Sequence, residues 1–386
     1  MNLKDCRSCG GELSPHPVIR LEGMPKAAQH FPDVSEFSRD RGITLTVRQC
    51  AGCGLVQLDG DPVDYFKDVI TAATLSPKSR ASRLAEMRDF AAHFGLAGKK
   101  VLDVGTGKGE MLEVMAEAGF VPTGLEASAD SVASGRAAGR AMVRGYIGDA
   151  EPVEGAPFDA FISLNYLEHL PSPGRVIRRI HDLTSPDAVG YVTVPNLDYL
   201  LATRCYYEFV ADHLSYFTQK TLAHVFESNG FDVVSCRTIN DDNDVAALVR
   251  KRRPLDLSDR FGEVEALIAD LRRVVAERRA RGQKVAVWGA GHRTLALLAL
   301  AGLKDIAYVV DSAKFKQGRF TPVLHTPIAA PERLRESRVD LVIVMVPGLY
   351  PGEVLAALER MQIGAEVAVL KAGRIEPVIP GTDARR

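Results

Sequence analysis

The sequence predicts an α/β protein: two open, mostly parallel sheets with a small cysteine-bearing module ahead of them. Three observations carry that prediction. The apolar run Val101-Leu102-Asp103-Val104 enters the turn Gly105-Thr106-Gly107-Lys108-Gly109, and Met111, Leu112, Met115 and Ala116 then recur at helical spacing. A second apolar run, Val285-Ala286-Val287-Trp288, enters Gly289-Ala290-Gly291 in the same way. Four of the six cysteines form two Cys-x-x-Cys pairs near the N-terminus.

At 386 residues and 46% hydrophobic content, the chain is long enough for two or three cores. The boundaries read as 1–66, 67–250 and 251–386. A formal net charge of −1 without a basic stripe gives no support to a nucleic-acid partner. No apolar run approaches the roughly twenty residues that cross a bilayer, and no secretory leader is evident. The expectation is a cytoplasmic protein, monomer or homodimer, acting on a small molecule without nucleic acid or membrane.

In residues 1–66, Cys6-Arg7-Ser8-Cys9-Gly10 and Cys50-Ala51-Gly52-Cys53-Gly54 are matched knuckles. Glycine after each pair frees backbone N–H groups for the sulfurs. Cys6, Cys9, Cys50 and Cys53 would close a tetrahedral zinc site with no open position, hence a structural one. So short a segment gains folding energy from such a metal. His16 and His30 read as surface residues, and Cys205 and Cys236 as packing. From residue 69 the chain leads into a helix with Leu84, Met87, Phe90, Ala91 and Phe94 on one face. Tyr65, Lys78 and Arg80 are the polar groups placed to approach a ligand there.

In residues 67–250, the glycine turn brings backbone N–H groups and a helix N-terminus to one point, which suits an anionic group. The position three after Gly107 is Glu110, where a dinucleotide fingerprint wants glycine. The turn resembles motif I of the class I S-adenosylmethionine (SAM) methyltransferases, which have a Rossmann-like sheet. Val121–Glu126 reads as the next strand, with Glu126 placed for ribose hydroxyls. Gly148-Asp149-Ala150 resembles the family's adenine-side motif, and Phe158–Leu164 with Asn165-Tyr166-Leu167-Glu168-His169 resembles its fourth strand and loop. The resemblance assigns Asp103, Gly105, Thr106, Gly107, Glu126, Ala127, Asp149, Ala150 and Asn165 to SAM.

After helix Pro173–Leu183 and a strand over 188–194, Pro195-Asn196 opens an aromatic insert running to Phe217. It should cover the carboxyl edge of the sheet, where ligands lie. Methyl transfer asks the protein to position a nucleophile and remove its proton. His213, with Asp212 to raise or orient it, is the candidate base, and His169 competes with it. Tyr216 joins the catalytic candidates, and Tyr65 and Asn196 those for the acceptor. An alternative is that Asp212 and His213 only cap the following helix.

The cysteine knuckles, this sheet and Asp212-His213-Leu214-Ser215-Tyr216-Phe217 together resemble the zinc-containing sugar C-methyltransferases. That resemblance implies methylation at C3 of a nucleotide-linked 4-keto-deoxysugar, with the histidine before Leu-Ser-Tyr-Phe as base. It also implies a place in deoxysugar or antibiotic biosynthesis. The family's Tyr-His-Glu-His is here Val210-Ala211-Asp212-His213. That departure keeps O- or N-methylation open.

The last region, 251–386, begins with a helix over 254–282. Val264, Leu267, Leu271 and Val274 lie on one face, and Arg272, Arg273, Arg278 and Arg279 on a solvated one. A second Rossmann-like unit follows, with Asp311 about twenty residues after its glycine turn. Thr294 stands at the third fingerprint position, so the dinucleotide signal is weak. The runs 314–322 and 325–328 resemble the same family's C-terminal signature, which implies that Gly289, Gly291, His292, Arg293 and Lys316 face a substrate phosphate. The strand over 341–346 and a helix over 353–361 complete the sheet, and the tail after Gly373 reads as frayed. The rival readings are a nicotinamide oxidoreductase using Gly289, Gly291 and Asp311, and a ligand-binding protein without catalysis.

Overall fold

The computed structural model describes residues 5–27, 31–67, 75–371 and 373–378. His30, like residues 69–74 at the start of the segment read as leading into the first helix, lies outside them. The chain forms two compact units, Met1–Pro254 and Leu255–Arg386. None of the described helices is long and apolar enough to cross a membrane.

The first unit opens with strands β1 (Ile19–Met24), β2 (Ile43–Gln49) and β3 (Val56–Asp59), followed by helix α1 (Pro77–Phe94). Ser76 starts α1 by accepting the Ser79 N–H, and Met87, Phe90 and Ala91 are the face it buries. An alternation follows: β4 (Lys100–Val104), α2 (Glu110–Glu117), β5 (Val121–Glu126), α3 (Ala129–Ala137), β6 (Met142–Arg144), β7 (Phe158–Leu164), α4 (Pro173–Leu183) and β8 (Thr184–Pro195). The unit ends with α5 (Leu197–Ala202), β9 (Ser215–Tyr216), α6 (Gln219–Glu227), β10 (Phe231–Ile239) and β11 (Asp244–Lys251).

A seven-stranded sheet runs in the order β10-β11-β8-β7-β4-β5-β6. It is parallel from β8 to β6, and β11 pairs antiparallel with both β8 and β10. The chain reverses direction across the sheet between β4 and β7, and the carboxyl ends of those strands flank the crevice where such sheets bind ligands. Phe158, Phe161, Phe226 and Phe231 are fully buried on one side. Phe161 packs edge-on to Phe231 with centroids 5.5 Å apart.

The cysteine module is not a separate body. Its four-stranded sheet has the order β1-β2-β3-β9, so the last strand comes from the aromatic insert some 160 residues later, with Val56 opposite Tyr216 and Gln57 opposite Ser215. Leu45, Val47 and Leu58 share one core with Leu200, Phe209 and Tyr216, while Cys6, Cys50 and Leu55 pack with Phe217 and Leu222. The module thus borrows apolar surface it lacks on its own. His16 is exposed, as the sequence suggests.

The second unit has α7 (Ser258–Ala280), β12 (Val285–Trp288), α8 (His292–Ala301), β13 (Tyr308–Val310), β14 (Ile328–Ala329), α9 (Arg333–Glu336), β15 (Leu341–Val344), α10 (Tyr350–Arg360), β16 (Glu366–Lys371) and β17 (Arg374–Pro377). Its six-stranded sheet runs β14-β13-β12-β15-β16-β17, parallel except for the last pair. Two expectations change here. The stretch after Gly373 includes an edge strand, because Leu370 and Ile375 pair and join the unit's core. The α7 arginines are also not simply solvated: Arg278 bonds to Glu366 at 2.8 Å, and Arg272 to the Ala301 carbonyl at 2.8 Å.

Candidate functional site

The first glycine turn builds one wall of the site. Gly105 has φ +75°, and a Cβ there would lie 2.5 Å from the Tyr166 ring, so both backbone and space require glycine. The turn is held from below. The Thr106 hydroxyl donates to Asp103 at 2.6 Å, and Glu126 accepts the Gly107 N–H at 2.8 Å and the Ser128 N–H at 2.9 Å. Burial pushes Asp103 up to about 6, Thr106 opposes this, and the Glu126 charge adds to it. Asn165 adopts φ +47°, accepting from the Thr193 hydroxyl at 2.7 Å and donating to Asp244 at 3.3 Å.

These residues line a cavity of about 390 Å³ whose far side carries Glu168, His169 and His213. The wall is chiefly acidic, with Asp103, Glu110, Glu126 and Glu168 against Lys67 and Arg83. Carboxylates and backbone N–H groups together suit a ligand with hydroxyls, a carboxylate and positive charge, which describes SAM. Ala127 and Asp149 line a neighbouring cavity of about 320 Å³, and Lys67 borders both. The Lys67 ammonium lies 4.7 Å from the Tyr146 ring centre and 3.6 Å from Asp149. The Ala150 carbonyl accepts from Arg179 at 3.2 Å.

The insert supplies the other wall. His169 donates from Nδ1 to the Asp212 carbonyl at 2.9 Å, which leaves Nε2 as an acceptor. Its ring meets that of His213 edge-on, with centroids 4.7 Å apart. Asp212 does not raise His213 as the sequence suggested. Burial, and then His169, push His213 down to about 3, while the Asp212 carboxylate accepts the Tyr65 hydroxyl at 2.6 Å. His169 is also lowered by burial, against the opposing pull of Asp212. Both imidazoles are therefore neutral at pH 7.

Several candidates have structural duties. The Tyr216 hydroxyl accepts the Val210 N–H at 2.9 Å and donates to the Val210 carbonyl at 3.2 Å, clamping the loop that carries His213. Asn196 caps α5 by accepting the Asp198 N–H and donates to the Asp242 carbonyl at 2.8 Å. Arg80 pairs with Glu117, and Lys78 is exposed. The cavity instead recruits Lys67, Arg83, Glu110 and Glu168, which spacing alone does not single out. Only Glu168 carried a signal, being an acid beside a candidate base.

The four cysteines converge. Their sulfurs lie within 4.8 Å of one another, with Cys6–Cys53 and Cys9–Cys50 each at 3.6 Å. Tetrahedral zinc with Zn–S near 2.3 Å asks for sulfurs about 3.8 Å apart, so the donor set fits. The Gly11 and Cys53 N–H groups point at Cys9 and Cys50 sulfurs, each at 3.4 Å.

In the second unit, Asp311 accepts the Ala290 N–H at 2.8 Å, the Ala313 N–H at 2.8 Å and the Lys316 ammonium at 2.9 Å. Burial works to raise its pKa and is outweighed by these partners, so it falls. Engaged in this way, Asp311 and Lys316 are not presented to a ribose or a phosphate. His292 and Arg293 are exposed at the start of α8, and Gly289 closes the turn at φ +118°.

A family model described as a methyltransferase domain matches residues 78–236, and one described as a C-methyltransferase C-terminal domain matches residues 250–368. The C-methyltransferase NovU of Streptomyces niveus is 26% identical, over 90% of this chain and 91% of its own. A ubiquinone biosynthesis O-methyltransferase of Pseudomonas aeruginosa is 37% identical over 26% of this chain, which spans about half (47%) of that enzyme. Magnesium protoporphyrin IX methyltransferase from Synechocystis PCC 6803, solved with bound SAH, is 14% identical at a TM-score of 0.39, covering 49% of this chain and 97% of that one. That last likeness is too slight to bear on the argument. With both models matched and the likeness to NovU running nearly end to end, the protein is a SAM-dependent methyltransferase similar to a C-methyltransferase.

Proposed function

We propose that the enzyme methylates carbon next to a ketone on a nucleotide-linked deoxysugar, with His213 taking the proton. The observation that carries this reading is that one cavity is lined both by the Gly105–Gly107 turn with Glu126 and by His169 and His213. The similarity to NovU, named a C-methyltransferase, supports carbon as the acceptor atom. SAM supplies the methyl group. Glu126, whose oxygens keep lone pairs beyond the Gly107 and Ser128 N–H groups, meets its ribose hydroxyls, and Asp149 and Ala127 stand at the adenine side.

His213 is neutral and half-buried on the cavity wall, so its nitrogen lone pair is available at pH 7. Its low proton affinity in the ligand-free pocket means it accepts a proton only when charge in the loaded site compensates. His169 is oriented by Asp212 and packs against the His213 ring. Tyr65, bound to Asp212, ties the segment before α1 to the loop that carries His213. Zinc at Cys6, Cys9, Cys50 and Cys53 is structural in this reading, fixing β3 and, through it, the His213 loop. Within the second unit, exposed His292 and Arg293 at the start of α8 are available to an anionic group.

The test is incubation with methyl-labelled SAM and a nucleotide-linked 4-keto-6-deoxysugar, with NMR of the product. A methyl signal on a carbon without hydrogen is expected, whereas a methoxy or N-methyl signal replaces this reading with O- or N-methylation. His213→Ala is expected to reduce turnover by 10³-fold or more. Unchanged turnover at saturating acceptor would remove His213 as base. Retention of NAD in place of SAM would restore the oxidoreductase reading.

A further inference from the structure

Glu168 is a buried acid that methyl transfer, as described so far, leaves unused. It sits in the short 3-10 turn Leu167–His169 just after β7 and is 2% exposed. Its Oε2 is sealed from solvent and has no hydrogen-bond partner among the described residues, a costly state for a charged oxygen. That carboxyl and the ring nitrogens of His169 and His213 lie within 4.8 Å of one another on the wall of the same cavity.

The groups that face it are known from each neighbouring element. Asp244 acts on it from β11, and Tyr216 on β9 feels the charges of both Asp212 and Glu168. His169 and His213 complete its surroundings, and Asp103, Glu110, Glu126, Lys67 and Arg83 line the cavity beyond. Burial pushes Glu168 up to about 8, its own N–H opposes this, and Asp244 adds to it. At pH 7 the ligand-free protein therefore holds it protonated.

Methyl transfer makes a demand that this group meets. The donor carries a sulfonium charge, the product thioether carries none, and the acceptor loses a proton. In a low-dielectric cavity the sulfonium calls for a fixed negative charge nearby, and the departing proton calls for a resting place. We propose that Glu168 is the counter-charge to the donor: it ionises when the sulfonium enters, and takes a proton handed on by His213 when transfer leaves a neutral thioether. The second half rests on His213 acting as base.

The atoms balance. The acceptor C–H bond breaks, its proton passing to His213 and then to Glu168, while its electron pair forms the bond to the methyl carbon. The methyl–sulfur bond breaks and leaves its pair on sulfur. One proton thus leaves the protein when the donor binds, and none when the product forms. Glu168 acts on the donor as a fixed charge and reaches the acceptor only through His213.

The test is calorimetry on the full chain at pH 7, in two buffers of different ionisation enthalpy, with SAM and with S-adenosylhomocysteine (SAH). SAM binding is expected to release about 0.9 proton more than SAH binding, from a group near pKa 8. Asp103, at about 6, is already mostly ionised there. In Glu168→Gln the difference should fall to near zero, with SAH affinity within about threefold of wild type. Equal proton release for the two ligands in the wild type, or a difference that survives in Glu168→Gln, overturns the proposal. Should Glu168→Gln not fold, the wild type decides alone: the difference must vanish above pH 9, and persistence there overturns it. These readings need no acceptor, so they fail or hold independently of His213→Ala turnover.

Discussion

The two glycine turns share one local grammar and differ in what lies beyond them. In each, a buried strand enters Gly-x-Gly, and an acid at the end of the next strand accepts an N–H of the turn: Gly107 to Glu126 across 19 residues, Ala290 to Asp311 across 21. The first turn has three glycines at positive φ and faces a cavity of about 390 Å³. The second has one, starts its helix at once, and seats Lys316 on its acid. The strand–turn–helix pattern specifies a backbone, and the side chains that the rest of the fold gathers around the turn decide what it can hold.

The sharpest way to break that comparison is alanine at each turn. Gly105→Ala meets both positive φ and the Tyr166 ring, and is expected to weaken SAH binding by at least 100-fold in calorimetry. Gly291→Ala, at φ −83° with open space around it, should leave SAH affinity within twofold. Equal losses at both turns would sink the comparison. Next in size is the effect at the proposed zinc site. Cys9→Ser, or a strong chelator, is expected to lower the melting midpoint of the first unit by about 10 °C or more. Turnover should fall more than SAH affinity, because β3 pairs with β9 directly after His213. No zinc by elemental analysis of purified protein would discard the site.

Asp311→Ala leaves Lys316 and two N–H groups without their acceptor, a loss of about 2–3 kcal/mol in the second unit's stability. SAH affinity should not change, and tighter NAD binding in that variant would revive a dinucleotide role. The smallest effect is a divergence with pH. Glu168 has a native pKa near 8 against about 4.5 unfolded, so its contribution is complete below 4.5 and is lost as pH rises through 8. Asp311 is depressed, so its contribution is present above its ordinary 3.8 and is lost as pH falls through its lowered native pKa. Thermal scans should show the first unit weakening from pH 7 to 9 while the second holds. Parallel drift of both would contradict the assignment.

Much of the first unit was legible because its signals are local. The edges of β5, β7 and α4 follow directly from apolar runs, a helix-starting proline and a glycine turn, and the paired knuckles announced four converging sulfurs. The site was less so. Asp212 looked like a partner for the adjacent His213, yet neighbours along an irregular loop point apart, and Asp212 turned its carboxylate to Tyr65 and its carbonyl to His169. Tyr216 and Asn196 read as site residues because they are polar and near the motif, but both satisfy buried backbone groups. Glu168 and Arg83 reach the cavity through the packing of separate elements, which no spacing rule records.

The sequence by itself determined the strand–turn–helix units, the cysteine set and the presence of histidines after β7 and in the insert, since each depends on residues close together in the chain. Only the tertiary structure decided that β9 closes the cysteine module's sheet, that Lys316 caps Asp311, and that Glu168 faces two imidazole rings with one buried oxygen unpartnered among the described residues. Those outcomes depend on burial, which fixes both the proximity of distant side chains and the dielectric that sets their charge.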